Sequence, residues 1–382
     1  MPHSRLHKLH AAGQSVWLDY IDRTILTDGA LTRQITDDAL SGMTSNPTIF
    51  EKALATGTAY DAQLSTALDS LTSWQLFELI ESDDVRTACD QFRGVYEQSG
   101  GTDGYVSIEV SPGVANDAEA TAEEAHRLWK LVNRPNVMIK VPGTEEGLKA
   151  LRRLIADGLN VNVTLLFSVE AYRRVIEAYL AGLEERMKAG GDLHRVGSVA
   201  SFFISRVDSE VDARLDAMIK AATDDATRSR LGALKGKAAI ANAKLAYAQF
   251  QRHFAGERWE KLRAHAARVQ RPLWASTSTK SPAYRDVMYV EQLIGPDTVN
   301  TMPPATITAF QDHGETARTV DAGVDEAREL LQALASEGIS MSSVTDKLLT
   351  EGLASFQKSF DTLLTGLESK LRTLGREPVA TV

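Results

Sequence analysis

Lys140 stands in Asn136-Val137-Met138-Ile139-Lys140-Val141-Pro142-Gly143-Thr144, at the end of an apolar, strand-like run. An ammonium ion there is costly, because desolvation disfavours the charged form of a lysine. Such a lysine either pairs with a carboxylate or gives up its charge and becomes a nucleophilic amine, with burial expected to favour the amine. Other apolar runs end in polar residues too. Asp19 closes Val16-Trp17-Leu18, Asn46 follows Thr44-Ser45, and Glu109 sits between Ile108 and Val110. Asn162 and Thr164 alternate with Val161, Val163 and Leu165, and Ser201-Phe202-Phe203-Ile204-Ser205-Arg206 carries a hydroxyl and a guanidinium. Ser276 follows Ala275 at the end of another such run.

Metal-assisted aldol chemistry normally needs imidazole ligands, and no histidine cluster accompanies this set. The lysine is then left to activate a carbonyl, which points to a Schiff base. His3, His7 and His10 share a helical spacing, but they fall at an expected frayed terminus with no carboxylate beside them, so no metal site is expected.

These residues need elements to position them. Short β-branched segments at 16–19, 43–45, 105–110, 137–141, 161–167, 196–204, 272–276 and 299–302 read as strands. Amphipathic patterns at 117–132, 145–156, 169–188, 207–222 and 233–255 read as helices between them, and 305–312, 324–337 and 343–374 as helices closing the chain. Ser168 and Thr144 are expected N-caps, and Gly100-Gly101 and Gly190-Gly191 are expected to close helices. This alternation predicts an α/β fold, a (β/α)8 TIM barrel with extra helices. The chain 1–382 is expected to be a single barrel domain, with a helical insertion at about 223–270 and C-terminal helices at about 316–374. An open doubly wound sheet is the competitor, but neither Gly-x-Gly-x-x-Gly nor a P-loop occurs.

In such a barrel the chemistry collects at the C-terminal ends of the strands. The period-two rule puts Ser107 with Glu109, Met138 with Lys140, and Asn162 with Thr164, each pair on one face and the aliphatic residues on the other. With helices covering the outside, the polar faces are expected to point into the mouth.

With 382 residues, the chain can bury a substantial core; its net charge of −9, from 42 Lys+Arg against 51 Asp+Glu, offers no basic surface for nucleic acid or anionic membrane. The single cysteine, Cys89, excludes a disulfide framework, falls in a helical run at 74–96 and is expected to be a small buried hydrophobe. Arg5 and Lys8 precede no apolar run, so no secretory signal is read and a cytoplasmic protein is expected. Neither a membrane nor a nucleic-acid partner is expected, and both monomer and homodimer stay open.

At these residues the chain resembles the transaldolases, lysine-dependent barrel enzymes of the pentose phosphate pathway. The resemblance rests on Leu18-Asp19, Thr44-Ser45-Asn46-Pro47-Thr48, Val106-Ser107-Ile108-Glu109-Val110, Ile139-Lys140-Val141-Pro142-Gly143-Thr144, Asn162-Val163-Thr164-Leu165-Leu166-Phe167-Ser168 and Ser201-Phe202-Phe203-Ile204-Ser205-Arg206. Length and Asn300-Thr301-Met302-Pro303-Pro304-Ala305-Thr306 resemble the longer bacterial subclass. The resemblance implies a cofactor-free transferase acting on phosphorylated ketoses and aldoses. Lys140 would form the Schiff base, Asp19 would exchange a proton with the C4 hydroxyl, and Glu109 with Thr164 would hold a proton-shuttling water. Asn46 and Asn162 would bind the dihydroxyacetone hydroxyls, with Ser201 and Phe203 lining the pocket. Arg206 and Ser276 would hold the distal phosphate. An arginine expected two residues after Ser276 is replaced by Ser278, with Lys280 following; a lysine restores the charge but not the fork.

Ordinary readings stand beside these: Asp19 as a loop cap, Asn46 as an N-cap before Pro47, Thr164 as a strand former, Arg206 as the partner of Asp208 or Glu210, and Ser276 as loop polarity. Two other functions also remain open: a fructose 6-phosphate aldolase-like enzyme of the same fold, and a non-catalytic sugar-phosphate-binding barrel.

Overall fold

The structure, a computed structural model, describes residues 4–55, 57–67 and 70–376. Eight parallel strands close into a barrel in sequence order: β1 (Gln14–Asp19), β2 (Leu40–Thr44), β3 (Tyr105–Glu109), β4 (Val137–Pro142), β5 (Val161–Leu166), β6 (Ser198–Phe203), β7 (Gln270–Ala275) and β8 (Thr298–Met302). Closure is made by β1 and β8, with Ser15 opposite Val299 and Trp17 opposite Thr301. A closed parallel sheet needs both faces covered, so the aliphatic strand residues face the helices and side chains fill the interior.

All eight expected strands are present, but several begin earlier than their hydrophobic pattern predicts. β1 and β7 each start on a buried glutamine; Gln14 Nε2 donates to Leu293 O at 2.7 Å, and Gln270 Nε2 donates to Ser198 Oγ at 2.9 Å. Amides anchored in this way through Nε2 can sit in a strand that apolar patterning overlooks. β2 runs over Leu40-Ser41-Gly42, where only its C-terminal end was expected. Gly42 is the reason: a Cβ there would lie 2.5 Å from the Trp17 indole, so the glycine makes room for the ring.

The helices follow their caps. Ser168 accepts from Ala171 N and Thr144 accepts from Gly147 N, at the starts of helices Val169–Lys188 and Glu145–Asp157. Gly100, Gly101 and Gly190 have positive φ after helices, as their places in the sequence predicted. The expected helix at 233–255 is shorter, Ala238–His253, and is preceded by a separate helix Asp225–Gly232. The N-terminus departs from expectation more clearly. Arg5–Ala11 is a capped helix with Leu6 and Leu9 buried, not a frayed end; His3 lies outside the described residues. Cys89 is buried, as expected.

The last helix, Met341–Thr373, lies across the C-terminal end of the barrel. It packs on helix Pro47–Ala55 after β2, on the Pro112–Val114 turn after β3, on β5, and on helix Ser205–Ala221 after β6. Phe360 anchors it at one side, its ring 5.0 Å from Trp74 and 6.2 Å from Phe77. Gly352 passes over Leu165, Phe167 and the Arg206 guanidinium. None of the described helices is long and apolar enough to cross a membrane.

Candidate active site

Register places the central residues side by side. Lys140 on β4 pairs with Glu109 on β3 and with Asn162 on β5, so three inward side chains start at one height. The Lys140 ammonium takes the paired course of the two open to it. Its Nζ donates to Ser45 O at 3.0 Å and lies 3.0 Å from Glu109 Oε2, with both side chains 7% exposed. The approach to Oε2 is oblique for a hydrogen bond, which makes it chiefly a charge contact. Burial therefore does not act on Lys140 alone, as the strand pattern had suggested. For Glu109, burial raises the carboxyl above its ordinary range, Lys140 opposes this, and Asp19 adds to it. A carboxyl held high beside an ammonium is a competent acceptor for that ammonium's proton.

Asn162 is locked on both sides. Its Nδ2 donates to Ser107 Oγ at 3.0 Å, and Ser201 Oγ donates to its Oδ1 at 2.7 Å. This buried string crosses from β3 to β6 and fixes the amide's orientation. Thr164 Oγ1, also buried, has no hydrogen-bond partner among the described residues. Leu165 beside it has φ 62°, where the β5–β6 register shifts. A non-glycine residue in this region costs roughly 1–2 kcal/mol, and the bulge turns Leu165 toward Gly352 of the last helix.

Asp19 ends β1 half-buried and accepts from Thr44 Oγ1 at 2.7 Å, while Thr44 Oγ1 lies 2.8 Å from Thr301 Oγ1. The neighbouring helix Arg23–Thr27 is capped by Asp22, not by Asp19, which removes the loop-cap reading. Asn46 does act as a cap, its Oδ1 accepting from Ile49 N at 3.0 Å.

A second cluster forms where β6 and β7 end. The Arg206 guanidinium sits 5.4 Å over the Phe203 ring, and Phe203 packs 5.2 Å from Phe167. The alternative partners of Arg206 are engaged elsewhere. Asp208 accepts from Ala239 N and Tyr289 OH, and Glu210 pairs with Arg214 and Lys347. Ser276, at φ 58°, places its Oγ 3.0 Å from Ser205 Oγ and its carbonyl on Ser205 N, so it is tied to the helix that starts at Ser205 and carries Arg206. Lys280 donates to Ser278 Oγ at 2.9 Å. Its ammonium is pushed down by desolvation and by Arg206, with Asp19 opposing. Two cations thus converge with no carboxylate paired to either among the described residues, a setting that suits an anion.

Reading the strand ends missed Glu81, on helix Ser73–Gln91. It is fully buried, and Ser45 Oγ lies 3.4 Å from its Oε1. Desolvation first, then Glu109 and Glu78, hold its carboxyl well above the usual range. The signal was present: Glu78, Glu81 and Asp84 recur every third residue among Phe77, Ile80 and Val85 on the helix's buried side. A carboxyl raised on folding keeps its proton in the folded state while the unfolded chain sheds it above about pH 4.3. Stability then falls as pH rises through this window. Glu81→Gln, which cannot ionise, is expected to raise the melting temperature at about pH 8 and to change it little below about pH 4. Thermal unfolding across pH checks this; an equal shift at both ends contradicts it.

A cavity of about 770 Å³ opens at the opposite end of the barrel, lined by Tyr105, Met138, Trp259, Arg268 and Arg271 among others. Its cations are committed: Arg268 donates to Gly100 O and Gly101 O, and Arg271 to Ser15 Oγ and Thr298 O. It contains none of the expected site residues.

Comparison with known proteins agrees with the strand-end geometry. The family profile described as Transaldolase/Fructose-6-phosphate aldolase matches residues 16–367. A "Transaldolase 2" of Nostoc sp. (strain PCC 7120 / SAG 25.82 / UTEX 2576) is 47% identical over 375 residues, covering 97% of this chain and 98% of that protein. A "Transaldolase" of Thermobifida fusca (strain YX) is 50% identical over 370 residues, covering 96% and 98%. One of Mycolicibacterium smegmatis (strain ATCC 700084 / mc(2)155) is 48% identical over 368 residues, covering 96% and 97%. A closed barrel, a buried lysine–glutamate pair on adjacent strands and full-length similarity place this chain in the transaldolase/fructose-6-phosphate aldolase family.

Proposed function

We propose that this chain is a transaldolase whose chemistry is carried by Lys140, moving a dihydroxyacetone unit from sedoheptulose 7-phosphate to glyceraldehyde 3-phosphate. The products are erythrose 4-phosphate and fructose 6-phosphate. The observation that carries the reading is Lys140 held between Glu109 and the Ser45 carbonyl, beside Asn162 of the locked Asn162–Ser201 pair.

In this reading the ammonium passes a proton to Glu109, and the free amine attacks the ketose carbonyl. Loss of water from the carbinolamine gives the iminium; Glu109 and Thr164 Oγ1 flank the place where that water would be held. Asp19 takes the C4 hydroxyl proton as the C3–C4 bond breaks, and the electron pair moves into the iminium to leave an enamine on Lys140. The acceptor aldehyde then reacts with the enamine, Asp19 returns the proton, and hydrolysis frees the amine. Asn46 and Asn162 hold the dihydroxyacetone hydroxyls, and Ser201 and Phe203 line that pocket. Arg206, Ser276 and Lys280 hold the distal phosphate. The helix Met341–Thr373 over the mouth restricts water, which protects the enamine from premature protonation.

An assay with and without an aldose acceptor tests transfer. The expected result is product formation that depends on the acceptor. Release of dihydroxyacetone at the same rate without acceptor would make it an aldolase, and tight binding with no covalent intermediate would make it a binding barrel. The phosphate assignment has its own test. Arg206→Ala removes charge-assisted contacts worth ~1.5–3 kcal/mol, so KM for the ketose phosphate is expected to rise roughly tenfold to a hundredfold, with a much smaller change for unphosphorylated fructose. Equal losses for both sugars contradict the phosphate role.

A further inference from the structure

The mechanism above does not use Glu81, although this buried carboxyl lies against the lysine's second anchor. Ser45 links them. Its carbonyl accepts from Lys140 Nζ at 3.0 Å, while its hydroxyl lies 2.9 Å from Ser107 O and 3.4 Å from Glu81 Oε1. A serine hydroxyl has one proton to give. Ser107 O is a backbone carbonyl and can only accept, and it is the nearer of the two, so the Ser45 proton goes there. The long contact to Glu81 is then a hydrogen bond only if Glu81 donates, as the protonated acid, to a lone pair on Ser45 Oγ. The surroundings agree. The charged groups that act on Glu81 are Glu109, Glu78 and Glu124, all of its own sign. The nearby cations are committed elsewhere, Lys140 to Glu109 and Arg127 to Glu78. An ionised Glu81 would be a buried anion among anions.

We propose that Glu81 is a positioning residue for Lys140: as a neutral acid it donates to Ser45 Oγ, and with Ser107 O it fixes the loop that presents the Ser45 carbonyl to the lysine. The carbonyl and Glu109 then hold the amine from two sides, so that it meets the substrate carbonyl in one orientation. Glu81 touches no reacting atom. Its contribution is to the rate of Schiff-base formation more than to substrate affinity. This inference rests on Lys140 being the Schiff-base lysine, and its test separates the two.

The full chain is mixed with fructose 6-phosphate and borohydride, and the rate of covalent labelling is measured for the native protein, Glu81→Ala and Glu81→Gln, together with kcat, KM and circular dichroism. Displacing a reacting group by about an ångström costs up to ~100-fold, so Glu81→Ala is expected to label roughly tenfold more slowly, with KM little changed. Glutamine is neutral and keeps an N–H for Ser45 Oγ, so Glu81→Gln is expected to recover labelling to within about threefold of native. Equal losses in both folded variants would overturn the neutral-donor role and make the ionised carboxylate the working form. Native rates in both would overturn any positioning role. If Glu81→Ala fails to fold, Glu81→Gln alone decides, a rate near native supporting the proposal and a large loss overturning it. Absence of labelling in the native protein would instead overturn the Schiff-base reading, and this inference with it.

Discussion

Lys140→Arg is expected to leave a folded, paired site that neither turns over nor forms a covalent adduct. The guanidinium keeps the charge facing Glu109 and the donors facing Ser45 O, but it cannot lose a proton to become a nucleophile. Removing a covalent nucleophile costs several orders of magnitude, so kcat is expected to fall by at least ~10³-fold with the melting temperature close to native. Lys140→Ala sharpens the same point. Breaking one side of a buried ion pair usually costs about 3–5 kcal/mol. Here Glu109 already has its carboxyl raised by burial and can take up a proton when the lysine is gone, so the loss in stability is expected to be smaller than that range. Steady-state kinetics and thermal unfolding of the two variants check both statements. Residual kcat above about a hundredth of native in Lys140→Arg contradicts the nucleophile assignment.

Asp19→Asn is expected to stop the reaction one step later. Asparagine keeps an oxygen for Thr44 Oγ1, so the local hydrogen bonds to Thr44 and Thr301 survive. What is lost is the base that removes the C4 hydroxyl proton. General-base removal typically costs about 10²–10⁴-fold, and kcat is expected to fall within that range. The Schiff base still forms, because Glu109 and Lys140 are untouched, and it accumulates because C–C cleavage no longer drains it. Borohydride is therefore expected to capture more adduct from Asp19→Asn than from the native protein at equal substrate. Loss of capture in parallel with turnover would place Asp19 in Schiff-base formation instead of cleavage.

The strand ends were legible because the fold imposes one height and one face on them. A lysine among Val137, Met138, Ile139 and Val141 is conspicuous, and period two assigns Glu109, Asn162 and Thr164 to the interior once the strands are placed. Their observed register, Glu109 beside Lys140 beside Asn162, follows from those placements. What escaped depends on contacts between distant segments. Leu40-Ser41-Gly42 does not read as a strand, since its glycine answers to the Trp17 ring and not to its own neighbours. The left-handed backbone at Leu165 and Ser276 has no glycine to announce it. Glu81 reaches the site from a helix outside the barrel, a direction that strand alternation does not report. The helix Met341–Thr373 has an amphipathic pattern, but nothing in that pattern says that it crosses the mouth.

Peptide mapping after borohydride reduction in the presence of fructose 6-phosphate tests the central claim most directly. The predicted result is one modified peptide, carrying the reduced ketose phosphate on Lys140, with labelling abolished in Lys140→Arg. Labelling of a different lysine, such as Lys280 at the phosphate end, or undiminished sugar-phosphate binding with no label, would contradict it.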